Sequence, residues 1–132
     1  MGLLDILRGG APNDAADVRT SRQRAGDAAE DAALEHLRRH GLQLVERNFR
    51  CKGGEIDLVM RDGAALVFVE VRARAGSSHG GAAASVTPAK QRRLIVAAHS
   101  FLQRYSFPPP CRFDVVGFDG DRLEWLRNAI EA

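Results

Sequence analysis

At 132 residues, 45% hydrophobic and 27% charged, the chain suits a single domain with a modest core, and disorder of the whole chain is excluded. Its 19 basic and 17 acidic residues leave a net charge of +2, with no run of like charge long enough to form a basic tail. Two cysteines, Cys51 and Cys111, make neither a disulfide framework nor a metal-ligand spacing.

Nearly all the cations are arginine, since Lys52 and Lys90 are the only lysines. The planar guanidinium fork suits phosphate, although a chain rich in Ala, Gly and Arg can owe its arginines to composition alone. No stretch approaches a membrane span in length. The opening MGLLDILRGG is too short in its apolar part for a signal peptide and carries Asp5 within it, so the cytoplasm is the expected location. Residues 1–20, which pass through the breaker-rich GGAPNDAAD, are expected to form a flexible arm ahead of one domain over 21–132.

From about Thr20 to His40 the pattern is helical, with a capping Thr20 or Ser21 at the start and Gly41 as the stop. Ala25, Ala29, Ala33 and Leu37 form a small-residue stripe suited to packing on a sheet, and Gly26, Glu30 and Leu34 lie beside it. Spacing alone makes Glu30 a solvated helix residue at the margin of the buried face. Leu42 to Phe49 reads as a first strand, and Arg50, Cys51 and Lys52 lead from it into Gly53-Gly54.

The next stretch, GGEIDLVMRDGAALVFVEVRAR, reads as a hairpin of two strands. Alternation puts Glu55 and Asp57 on one face of the first strand and Ile56, Leu58 and Met60 on the other. In the second, Glu70 and Arg72 oppose Val67, Val69 and Val71. A two-residue loop, Asp62-Gly63, sets Glu55 opposite Glu70; a four-residue loop, Asp62 to Ala65, sets Asp57 opposite Glu70 and Glu55 opposite Arg72. Facing carboxylates repel unless something positive sits between them.

Residues 76–85, GSSHGGAAAS, read as a loop, either a substrate-ordered flap or a plain linker, and its lone His79 is a weak ligand candidate. Thr87-Pro88 opens a second helix with Leu94, Ala98, Phe101 and Tyr105 on one stripe. Lys90 in its first turn opposes the helix dipole but suits an incoming anion, as do Arg92 and Arg93 after it. Arg112 to Phe118 and Arg122 to Leu126 read as the last strands, joined at Asp119-Gly120 and followed by a short helical tail. Asp114 shares a face with Arg112, which reads as a structural ion pair.

The run Gly26 to Leu37, then RNFRCKGGEIDLVM, FVEVRAR, TPAKQRRL and CRFDVVGF, resembles the bacterial YraN-like family, uncharacterised protein family 0102. The resemblance covers nearly everything after about residue 21. It implies an α/β, restriction-endonuclease-like fold: a mixed β-sheet of about five strands flanked by helices, similar to archaeal Holliday-junction resolvases. By that resemblance Asp57 matches the first acid of the nuclease motif, and Glu70 and Arg72 match the acid-x-lysine pair. Glu30 matches the helical acid and Lys90 a basic residue near the next helix start. Glu55, within the GEID run, is an accessory candidate.

The implied cofactor is Mg²⁺ or Mn²⁺, held by Glu30, Asp57, Glu70 and the main-chain carbonyl of Val71. The implied activity is hydrolysis of nucleic-acid phosphodiester bonds, with DNA, including branched DNA, as the expected partner. Arg50, Lys52, Lys90, Arg92 and Arg93 are the expected nucleic-acid contacts. Ile56 stands where proline is usual, and Arg72 replaces the usual lysine. Arginine stays charged, so Arg72 can orient water or stabilise developing charge but is a poor base. Two alternatives stand beside this reading: a nucleic-acid-binding module that has lost hydrolysis, and a protein-interaction domain whose acids form only salt bridges. The oligomeric state is open, with a homodimer as one option.

Overall fold

A computed structural model describes residues 20–74 and 85–131. The expected arm up to residue 19 and most of the 76–85 loop, His79 included, lie outside the described residues. The elements are α1 (Ser21–Arg39), β1 (Gln43–Cys51), β2 (Gly54–Asp62), β3 (Ala65–Arg74), α2 (Pro88–Leu102), β4 (Cys111–Asp119) and β5 (Arg122–Leu126). The expected helical tail is absent: after β5 the described residues form a turn whose Asn128 has φ 52°.

Both helices start where side-chain caps allow. The Thr20 hydroxyl accepts from the Gln23 amide at 3.1 Å, and the Gln23 side chain accepts in return from the Thr20 amide at 2.8 Å. This reciprocal arrangement satisfies two amides that the first helical turn leaves unpaired. Thr87 caps α2 with a single bond, its hydroxyl accepting from the Lys90 amide at 3.2 Å, with Pro88 at the first position.

The strands form one five-stranded sheet in chain order, β1-β2-β3-β4-β5. Three neighbouring pairs are antiparallel, and β3 and β4 are parallel, which requires the crossover that α2 supplies. Side chains of the central β3 alternate between two cores. Leu66 and Phe68 join Leu94, Ala97, Ala98 and Phe101 of α2 on one face. Val67 and Val69 join Ala33, Leu34 and Leu37 of α1 on the other. The small-residue stripe on α1 is buried from Ala29 onward, while Ala25 is exposed.

Two register findings correct the sequence reading. The hairpin closes on Asp62↔Ala65, so the turn pair is Gly63-Ala64, not Asp62-Gly63, and Gly63 takes the positive φ of 60° that the turn demands. Leu58↔Val69 then extends to Asp57 beside Glu70, the alignment of the longer-loop option. Secondly, Ile56, Leu58 and Met60 do not share a face. Ile56 packs in the α2 core, whereas Leu58 and Met60 pack in the α1 core. The same switch occurs on β1, where Arg47 reaches α1 but Phe49 packs toward α2. Between them Asn48 is left-handed, with φ 56°, and simple alternation fails there on both strands.

Gly54 fixes how closely α2 approaches β2. A Cβ there would stand 2.3 Å from the Arg93 carbonyl oxygen and 2.8 Å from the Ala97 amide nitrogen. Both are backbone atoms and cannot turn aside. Gly54→Ala is therefore expected to lower stability by about 1–3 kcal/mol through overpacking. A urea denaturation midpoint equal to the native one would show that the helix can move away freely.

Candidate functional site

The acids meet where β2 and β3 part. Ladder pairing between them ends at Leu58↔Val69, and beyond it the Val71 amide donates to Asp57 Oδ2 at 2.8 Å. A side chain thus satisfies the strand's next donor, and the fork between the strands holds Asp57. One residue back on β3, Glu70 is largely buried, its side chain 12% exposed.

Glu30 comes from α1. Arg47 of β1 ties it down, donating from Nε to Glu30 Oε1 at 3.3 Å while its other end pairs with Asp31 at 2.6 Å. The Glu30 side chain is 14% exposed, so it is the partly buried helical acid and not the solvated residue that spacing suggested. Gly26, one turn earlier, faces open space where a Cβ would stand.

The cations come from β3 itself and from α2. Arg72 Nη1 lies 3.7 Å from Glu70 Oε2, and its Nε donates to Ser85 Oγ at 3.4 Å. Lys90, exposed in the first turn of α2, acts on Glu70 through its charge. Glu55 is half exposed and bridges Arg50 at 3.7 Å and Arg93 at 3.6 Å, linking the strand to α2. Lys52 and Arg92 are exposed. Of the candidate nucleic-acid contacts, Arg50 and Arg93 therefore already share a carboxylate.

Electrostatics sets the acids apart from ordinary surface carboxylates. Burial, then the neighbouring Glu70 charge, pushes Asp57 from 3.8 up to about 7, against the opposing hydrogen bond from Val71. Glu70 is also raised, by burial above all, with Lys90 and then Arg72 pulling it back. Glu30 is raised by burial, opposed mainly by Arg47. Paired acids with raised pKa are under-compensated for negative charge, a condition that a bound cation relieves.

Whether a divalent metal fits is a question of donor chemistry. Among the described residues no three histidine, cysteine or carboxylate side chains form a ready metal cage. Mg²⁺ does not require one, because it is commonly held by one or two carboxylates with water completing its shell. Asp57 and Glu70 are hard oxygen donors of that kind, so the donor set fits.

Three contributors were not singled out in the sequence: Arg47, which holds Glu30, Asn48, whose left-handed backbone lies between Arg47 and Phe49, and Ser85, which accepts from Arg72. Only Asn48 carried a local signal, since asparagine is disfavoured within strands and tolerant of the left-handed region.

The layout and site together define a small α/β domain of restriction-endonuclease-like architecture, with paired acids at a strand fork between two helices. The model of Uncharacterised protein family UPF0102 matches residues 29–118. A UPF0102 protein of Herminiimonas arsenicoxydans is 68% identical over 114 residues, covering 86% of this chain and 92% of its own. One from Janthinobacterium sp. (strain Marseille) is 67% identical over 114 residues, covering 86% and 93%. A third, from Acidovorax sp. (strain JS42), is 55% identical over 124 residues, covering 91% and 93%. The chain belongs to family UPF0102, the YraN-like family. No helix among its described residues is long and apolar enough to cross a membrane.

Proposed function

We propose that this chain is a metal-dependent nuclease of the cytoplasm that hydrolyses phosphodiester bonds in DNA, branched DNA included. The reading rests on one observation above the rest: Asp57 and Glu70, both with raised pKa, are set together at the strand fork with Arg72 and Lys90 beside Glu70. Asp57 and Glu70 would hold Mg²⁺ or Mn²⁺, with Glu30 and the Val71 carbonyl as further donors. When bound, the ion supplies Lewis-acid polarisation of the phosphate and a more acidic water.

The remaining work falls to side chains. The Val71 amide fixes one oxygen of Asp57, leaving the other for the ligand. Arg72, braced between Glu70 and Ser85, stabilises charge growing on the phosphate oxygens. It accepts no proton, so a carboxylate or solvent must take the one that water loses. Lys90 presents its charge from the first turn of α2, at the positive end of the helix dipole. Lys52 and Arg92 extend this cationic approach, with Arg50 and Arg93 joining it if they release Glu55.

Purified protein should cut at least one of linear, flapped, single-stranded or four-way DNA in Mg²⁺ or Mn²⁺. Cleavage should stop with chelator and in Glu70→Ala. Cutting that survives both would identify a contaminant and remove the site assignment. Salt-dependent binding without cleavage would replace the nuclease by a binding module, and neither activity would favour a protein-interaction role.

A further inference from the structure

We propose that the cavity beside β5, lined by His40, Trp125, Leu126, Arg127 and Ala129, is a second nucleic-acid site that takes an unpaired base of a single DNA strand, with a neighbouring phosphate on Arg127. The proposal rests on the nuclease reading above for its strand and adds a subsite outside the acid cluster. The cavity is open and measures about 650 Å³, within the range of small-ligand sites. Its lining combines an indole, an imidazole and a guanidinium with two apolar residues, and holds no carboxylate. That set suits a planar aromatic ligand carrying negative charge, which is the chemistry of a nucleotide.

The indole is prepared for stacking. Trp125 Nε1 donates to the buried Asp114 at 3.0 Å, so the ring is held in one orientation. His36 and His40, at the end of α1, meet it nearly edge-on, with ring centroids 5.8 and 5.5 Å away and planes at 89° and 73°. His40 Nδ1 donates to the His36 carbonyl at 2.8 Å, which leaves Nε2 to bond a base edge or a phosphate. The Arg127 guanidinium carbon lies 4.0 Å from the indole centre, and Arg127 is exposed and forms no ion pair among the described residues. A cation–π contact at an exposed site is weak, so the guanidinium can swing from the ring to a phosphate as a base takes its place.

Sheet register brings the cavity within a strand's reach of the acids. Trp125 pairs with Val116 and Val116 with Val71, whose amide holds Asp57. Neighbouring strands lie about 4.8 Å apart, so the Trp125 backbone is on the order of 10 Å from that of Val71. Helix α1 spans the same two regions, with Glu30 near the acids and His40 about 15 Å further along the axis. One flexible strand can touch both sites. A base inside a duplex, stacked on both faces, cannot enter the cavity without being flipped out.

Trp125 is the single tryptophan, so its fluorescence reads the cavity directly. In chelator, a thymidine single strand should quench that emission, while a strand of equal length without bases should bind about tenfold more weakly and leave it unchanged. Anisotropy of the labelled strands measures binding in both cases. Arg127→Ala, an exposed change that leaves Asp114 and its partners in place, should lower the slope of log affinity against log salt by about 0.7, the loss of one phosphate contact on a single strand. The assignment is overturned if the thymidine strand binds without quenching, if the base-free strand quenches as strongly, or if Arg127→Ala keeps the native salt slope. Quenching in chelator with no cleavage in Mg²⁺ or Mn²⁺ would overturn the nuclease reading and uphold the cavity, whereas cleavage with Trp125 unquenched would do the reverse.

Discussion

Asp114→Ala should lower the stability of the domain by about 3–5 kcal/mol, the usual result of removing one partner from a buried charged network. Asp114 is fully buried and accepts four hydrogen bonds from three donors: Arg112 Nε at 3.0 and 3.2 Å, the Trp125 indole at 3.0 Å and the Asn128 amide at 2.8 Å. Its loss leaves an indole, a main-chain amide and part of a guanidinium without acceptors in the interior. Among the described residues Arg112 already carries one buried nitrogen, Nη2, with no partner, so the network has little slack. Asp62, which takes the outer end of the same arginine at 2.9 Å, is 45% exposed. Asp62→Ala should therefore cost less than about 1 kcal/mol. Urea denaturation followed by the fluorescence of Trp125, the single tryptophan, measures both. Equal losses in the two variants would show that burial does not set the strength of this network.

Metal-free protein should lose stability as pH rises from about 4 to about 7, in proportion to the ionisation of Asp57. The sign follows from proton counts. Folding raises Asp57 from 3.8 to about 7, so across that window the folded chain keeps a proton that the unfolded chain releases. Stability from this group is complete below the lower value and is lost on the way to the upper one. Glu70, also raised, works in the same direction. Asp57→Asn retains an oxygen to accept from Val71 but cannot ionise, so in chelator at pH 8 it should exceed the native protein by on the order of 3 kcal/mol. Saturating Mn²⁺ should reverse the order, because native protein gains the free energy of binding and the variant lacks the charge to hold the ion. Thermal midpoints at several pH values, with and without metal, give the comparison. A native-minus-variant difference that rises with pH in chelator would refute the proposed repulsion at the fork.

Legibility from sequence divided along the range of the interactions. Thr87-Pro88, the Thr20 cap and the alternation of β3 are local signals, and the structure reproduces them closely. The pairing of Arg112 with Asp114 was also within reach, being two residues apart on one strand. What could not be read was non-local. The partners Trp125 and Asn128 reach Asp114 only because β5 folds back on β4, and Glu30 became partly buried only through Arg47 from another element. The face assignment of Ile56 failed for a different reason. Alternation assumes extended backbone at every residue, and Asn48 with its opposite number Asp57 breaks that assumption. The register of the hairpin was narrowed to two options, and the turn at Gly63-Ala64 chose between them.

A sheet whose spatial order repeats its chain order has a kinetic corollary. The meander β1-β2-β3 closes through short turns, whereas β3 and β4 must find each other across the whole crossover that contains α2. Contacts that close longer loops cost more entropy and tend to form later. Asp57 and Glu70 are brought together within the early, local part of the sheet, and Lys90 joins them only as the crossover docks. During folding the two carboxylates would then meet before their lysine arrives, so their mutual repulsion falls on the early meander and is relieved only when α2 docks.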